Sequence, residues 1–148
     1  MDVKIVCNQN KYNLYKDKLE KSGFSISDNA KLLLIDLEDN IENIIVKKNG
    51  ELYPIPIKEI YYIESFGREI VIHLKNNSFT SSNKLYQFEL TLSRDKFVRI
   101  NKSQIINVSK IKKIKPLINY RMKVTLANDI ITYVSRNYYQ AFKYIIGI

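Results

Sequence analysis

From Ile41 to the end, the chain alternates short β-type runs with turn signals. Turns at intervals of about 8–12 residues, with little helix between, predict an all-β domain. Ile41–Val46 and Glu51–Ile57 flank Asn49-Gly50, the commonest tight-hairpin dipeptide. Pro54 and Pro56 cannot donate to a ladder and make the second of these runs an edge strand. Ile60–Glu64 turns at Phe66-Gly67 into Glu69–Leu74, and Asn76-Asn77 leads to a short strand at Ser78–Thr80. One helix interrupts the series. Ser82 or Asn83 is expected to cap it, with Leu85, Phe88 and Leu92 on one face. Phe97–Ile100 and Ile105–Val108 follow as strands. Met122, Val124 and Leu126 then alternate with polar residues, and Ala127-Asn128-Asp129 turns the chain into Ile130–Val134. A last helix is expected from Ser135 to Gly147, with Tyr138, Tyr139, Phe142 and Ile146 inward.

Residues 1–40 have another texture. Val3–Val6 and Leu32–Leu37 read as strands around an amphipathic helix carrying Tyr12, Leu14, Tyr15 and Leu19 and ending at Gly23. The pattern predicts a small β-α-β segment, with Asp39-Asn40 as the turn or linker into a second domain, 41–148. Asp36, at the end of an apolar run, invites comparison with a receiver-type phosphoacceptor. The paired acids such a site needs after the first strand are missing, because that position reads Cys7, Asn8, Gln9, Asn10. Asp36 is therefore read as a capping or surface residue, and Cys7, the single cysteine, as a buried small hydrophobe.

Charge divides the chain a few residues further on. Six lysines against eight acids leave residues 1–46 at −2, and eighteen basic against seven acidic residues leave 47–148 at +11, together the net +9. A basic domain of this kind points to an anionic polymer or surface as partner. Constellations for catalysis are absent from the sequence: there is one histidine (His73), no P-loop, no G-x-S-x-G and no metal-ligand cluster. Glu64 has no evident partner. No enzyme, cofactor, metal or small-molecule substrate is expected. Without an apolar run of roughly 20 residues or a secretory signal, no membrane contact is expected and a cytoplasmic location follows.

The functional signal is concentrated in Phe97–Pro116, which contains no acid. Arg99, Asn101, Lys102, Ser103, Gln104 and Asn107 can all donate hydrogen bonds, and Lys110, Lys112, Lys113 and Lys115 add a run of positive charge. Donors mixed with cations suit anionic phosphates and acceptor-rich groove edges. Two further polar loops stand beside this stretch. One ends in Arg68, and the other is Ser135-Arg136-Asn137, at a helix start where free N–H groups favour phosphate.

These residues resemble a known family. IYYIESFGREIVIHL, F-x-L-T-L before RDKFVRINKSQIIN, I-x-x-I-K-P and VSRNYYQAFK occur in the order and spacing of the LytTR DNA-binding domain of bacterial transcription regulators. The resemblance covers about two-thirds of the chain. It implies an elongated, mainly β domain of small antiparallel sheets with a short helix. Such a domain inserts loops into successive major grooves of double-stranded DNA, as two molecules on a direct repeat. It implies base contacts by Arg68, Lys102 and Arg136, with Arg99, Asn101 and Ser103 as neighbouring backbone or base contacts; Gln104, Ser135, Asn137, Lys110 and Lys112, donors and cations of the same stretches, are expected as backbone or supporting contacts. A transcription regulator, dimeric at least on DNA, is the expected function. The alternative is a protein-interaction or anti-activator module that keeps the fold without specific DNA binding. Many relatives carry a receiver before this module. Here the acidic segment 1–40 is expected to serve dimerisation or regulation instead.

Overall fold

The computed structural model describes residues 1–36, 42–93 and 96–148. Leu37, Asp39-Asn40 and Ile41, where a strand end, the linker and a strand start are expected, lie outside the described residues, as do Arg94 and Asp95. The chain divides into two units, Met1–Glu42 and Asn43–Ile148.

In the first unit, β1 (Asp2–Val6), α1 (Gln9–Lys21), β2 (Ser25–Ile26) and β3 (Leu32–Ile35) build a parallel sheet of order β2-β1-β3. Val3 and Ile5 stand opposite Leu32 and Leu34, and with Ala30 they are the buried residues among those described in this unit. α1 ends in a Schellman motif: Phe24 N–H donates to Leu19 O at 3.0 Å and Gly23 N–H to Glu20 O at 3.1 Å, satisfying carbonyls the helix leaves open. Three expectations need correction here. Leu14 is 52% exposed instead of inward, and Cys7 is only half-buried. Asp36 is neither cap nor surface residue, since its carboxylate accepts from Lys11 Nζ at 2.9 Å and from the Tyr15 hydroxyl.

The second unit is mainly β. A hairpin of β4 (Asn43–Lys48) and β5 (Glu51–Pro56) precedes β6 (Tyr62–Phe66), β7 (Glu69–His73) and β8 (Ser78–Ser81). Then come α2 (Leu85–Thr91), β9 (Phe97–Asn101) and β10 (Gln104–Asn107). The chain closes with β11 (Ile111–Leu117), β12 (Arg121–Leu126), β13 (Ile131–Val134) and α3 (Tyr139–Ile146). Strands β6 to β10 form an antiparallel sheet of order β8-β7-β6-β10-β9, and β11-β12-β13 form a second. Asn49 and Gly50 both take positive φ, the geometry a two-residue hairpin needs to follow strand twist.

Period-2 alternation sends side chains of the five-stranded sheet into two cores. Ile63, Ile70, Ile72, Phe97 and Ile105 face the β4–β5 hairpin and α2. Tyr62, Val98, Ile100 and Ile106 face the three-stranded sheet and α3, where Met122, Val124, Leu126, Val134 and Phe142 are buried. Neighbours Ile105 and Ile106 thus serve opposite cores, which is why β10 is apolar at consecutive positions.

β11 escapes the sequence reading because its outer face is lysine and a register shift between Ile111 and Lys113 breaks the alternation. The cap of α2 is Lys84, not Ser82 or Asn83; Gln87 Oε1 accepts from the Lys84 N–H at 2.8 Å, half of a capping box. The C-terminal helix begins later than expected, with a 3₁₀ turn at Arg136–Tyr138 before α3. Among the described residues no helix is long and apolar enough to cross a membrane.

Candidate nucleic-acid interface

β-Ladder register decides which loops share an end of the second unit. β6 and β7 are joined by the two-residue turn Gly67-Arg68, with Phe66 opposite Glu69. Only Gly67 has positive φ, as a type II′ turn requires at its first central position, and Arg68 is exposed. β9 and β10 are joined by Lys102-Ser103, both exposed. Because Gln104 pairs with Glu64, this second turn lies beside the first. Ser65 N–H donates to Ser103 O at 2.8 Å, tying the two together. The third segment, Ser135–Asn137, leaves β13 next to β9, where Ser135 N–H donates to Ile100 O at 2.9 Å. Arg136 and Asn137 are exposed.

A polar network fixes these loops to one another. Asn101 is its centre. Its Oδ1 accepts from Ser103 N–H at 2.9 Å and from the Ser103 hydroxyl at 3.3 Å. Its Nδ2 donates to Gln104 Oε1 at 2.9 Å and to Tyr133 O at 3.0 Å. Gln104 Nε2 in turn donates to Glu64 Oε2 at 3.3 Å, reaching the strand that leads to Arg68. Glu64 is not without a partner, as the sequence suggests: its Oε1 also lies 2.7 Å from His73 Nε2. The His73 ring stacks on Tyr62 at 4.1 Å, a structural role. Burial, with Glu64 nearby, raises the Tyr62 hydroxyl pKa above its ordinary value.

Arg99 supports the second loop from beneath. Its guanidinium donates to Asn101 O at 3.2 Å and Lys102 O at 2.6 Å, and pairs with Glu89 of α2 at 3.1 Å. The ion pair is partly exposed and of small worth in itself; its geometric effect is to hold two carbonyls of the Lys102 turn. Arg99, Asn101 and Gln104 are therefore engaged inside the protein, whereas Arg68, Lys102, Ser103, Arg136 and Asn137 face solvent.

A fourth turn, missed in the sequence, completes this end. Between β11 and β12, Asn119 and Tyr120 both adopt positive φ. For a tyrosine this left-handed backbone costs about 1–3 kcal/mol, a strain that concentrates at functional sites. The Arg136 guanidinium lies 5.7 Å from the Tyr120 ring, which meets Tyr139 edge-on at 5.6 Å. A cation held over an aromatic face is restricted in direction, so Tyr120 limits where Arg136 points. No motif signals this contact, because β11 is not recognisable as a strand.

Asn107, Lys110 and Lys112 of the acid-free stretch do not join the loops. Asn107 is 3% exposed, with Nδ2 donating to Ile60 O at 2.8 Å and Oδ1 accepting from Ser109. Lys110 covers the Tyr61 ring at 5.0 Å, and Lys112 pairs with Asp129 at 2.9 Å. Ile111 stands opposite Leu126 and Leu117 opposite Arg121, so both lysines occupy the far end of that sheet from Arg136. The hydrogen bond and charge of Lys112 hold the Asp129 carboxyl below its usual range.

Fold and geometry together define a domain that presents cationic loops from a rigid β scaffold. Comparison with known proteins gives this class its family. Residues 50–147 match the LytTr DNA-binding domain. A solved LytTr DNA-binding domain from Bacillus cereus superposes with a TM-score of 0.68 at 25% identity, covering 74% of this chain and all of that one. The transcriptional regulatory protein LytR of Staphylococcus aureus is 27% identical over 133 residues, covering 89% of this chain and 54% of that protein. The sensory transduction protein LytT of Enterococcus faecalis is 27% identical over 107 residues, 72% of this chain and 44% of that one. The chain belongs to the LytTr DNA-binding domain family. It spans about half the length of the curated relatives it matches.

Proposed function

We propose that this protein is a sequence-specific transcription regulator that reads double-stranded DNA with loops in successive major grooves. Arg68, Lys102 and Arg136 contact base edges, and Ser103, Ser135 and Asn137 contact backbone. Arg99, Asn101 and Gln104 position the loops instead of touching DNA, and Lys110 and Lys112 take no part. The single observation behind this reading is the Asn101 network, which ties the Lys102 turn to the strands that lead to Arg68 and Arg136 at one end of the domain. Arg suits guanine by bidentate donation, while Lys serves bases or phosphates. Two copies on a direct repeat, working in the cytoplasm, complete the proposal. The acidic segment 1–40 supports dimerisation or regulation.

The test is alanine replacement at Arg68, Lys102 and Arg136, each assayed against duplexes altered one base pair at a time. A base-reading residue loses about 1–3 kcal/mol and relaxes preference at one position only. Uniform weakening across all sequences would reduce all three to phosphate contacts. No effect from any of them would favour a protein-interaction module.

A further inference from the structure

We infer that the outer face of the three-stranded sheet is a second anion-binding surface, a track for phosphates of the DNA that flanks the base-reading loops. Ladder register puts Lys113 opposite Thr125, Lys115 opposite Lys123 and Leu117 opposite Arg121 on this face. Lys123 stands opposite Tyr133, and Thr125 opposite Ile131. Ile114, Val124, Met122 and Val134 point the other way, into the core. Lys113, Lys115, Lys123 and Thr125 line a shallow groove. Among the described residues Lys113, Lys115 and Lys123 make no ion pair, and no carboxylate shares their face. Asp129, in the turn at the far end, is held by Lys112 and senses Lys113.

Like charges directly opposite on neighbouring strands destabilise a sheet. Lys115 and Lys123 are such a pair, with Lys113 two residues away, about 7 Å along the strand. An unneutralised cluster of this kind is relieved by a polyanion, and duplex DNA carries a negative charge per about 1.7 Å of axis. Continuity selects DNA over an acidic protein. The face meets the reading end at Tyr133, whose carbonyl accepts from Asn101 and whose ring carries Arg121 at 5.9 Å. Tyr120, the neighbour of Arg121, carries Arg136. The track rests on the loops reading DNA as proposed above.

The experiment is the salt dependence of affinity for a direct-repeat duplex and a scrambled duplex. It compares wild type, Lys113→Gln/Lys115→Gln/Lys123→Gln, and a control of equal net charge, Lys18→Gln/Lys21→Gln/Lys58→Gln. Each phosphate contact contributes about 0.9 to the slope of log K against log salt, so the first triple is expected to flatten it by about 2.7. The ratio of repeat to scrambled affinity is expected to stay unchanged, and thermal melts to show no loss of stability. A slope unchanged by the first triple, or flattened equally by the control, overturns the track and leaves an acidic protein surface as its partner. Wild-type protein that prefers neither duplex refutes the loop reading instead, a separate result.

Discussion

Asn101→Ala removes the residue on which the arrangement of loops depends, and its cost can be worked from the contacts. Four hydrogen bonds are lost: two accepted from Ser103 and one donated to each of Gln104 and Tyr133 O. A net hydrogen bond is worth about 0.5–1.5 kcal/mol, and these groups are partly open to water, so the low end applies. The sum is about 2 kcal/mol, roughly 8 °C in Tm for a domain of this size. Binding suffers separately. Ordering a released backbone costs about 1–2 kcal/mol per residue. With the hairpin still closing the Lys102-Ser103 turn, a loss of about 1.4 kcal/mol, or tenfold in Kd, is expected. Asn101→Asp keeps the acceptor for Ser103 but cannot donate to Gln104 Oε1 or Tyr133 O. It should hold the second loop and release the third, giving an intermediate loss. Calorimetric melting and fluorescence anisotropy on the same samples read both effects. An Asn101→Ala protein that melts and binds like wild type would refute the claim that this network organises the interface.

Other perturbations separate DNA contact from structure. Arg136→Ala is expected to weaken specific binding by about 1–3 kcal/mol in anisotropy, with melting unchanged because its guanidinium lies over the exposed Tyr120, at the surface. Phe142→Ala empties a fully buried position and should cost about 3–5 kcal/mol in denaturant unfolding. Lys115→Glu converts a repulsive cross-strand pair into an attractive one. It should raise stability by about 0.2–1 kcal/mol while weakening DNA binding. The depressed carboxyl of Asp129 contributes stability present above its unfolded pKa near 4 and lost as pH falls through the lower folded value. Lys112→Gln should therefore flatten the dependence of Tm on pH in that acid window.

Much of the fold was legible because local signals agree with it. Asn49-Gly50 and Gly67 carry their own turn geometry, and Met122, Val124 and Leu126 alternate as a half-buried strand should. β2 has two residues and no periodicity to detect. β11 hides because cations occupy the face where a protein strand usually shows neutral polar residues. The loop cations were legible as residue types, but their partners were not. Asn101 meets Tyr133 across 32 residues, and Gln104 meets Glu64 across 40. Such pairings are set by ladder register and leave no local trace. For the same reason the intramolecular partners of Arg99 and Gln104 are invisible in the sequence, Asn107 reads as an available donor when it is buried, and Tyr120 does not register at all.

The most direct test of the central claim is anisotropy of the full chain on a LytTR-type direct-repeat duplex and on a scrambled duplex, from about 50 to 300 mM salt. A sequence-specific reader is expected to prefer the repeat by roughly a thousandfold and to keep that preference at physiological salt. Equal affinities that collapse together as salt rises would contradict it, leaving a basic surface without a readout.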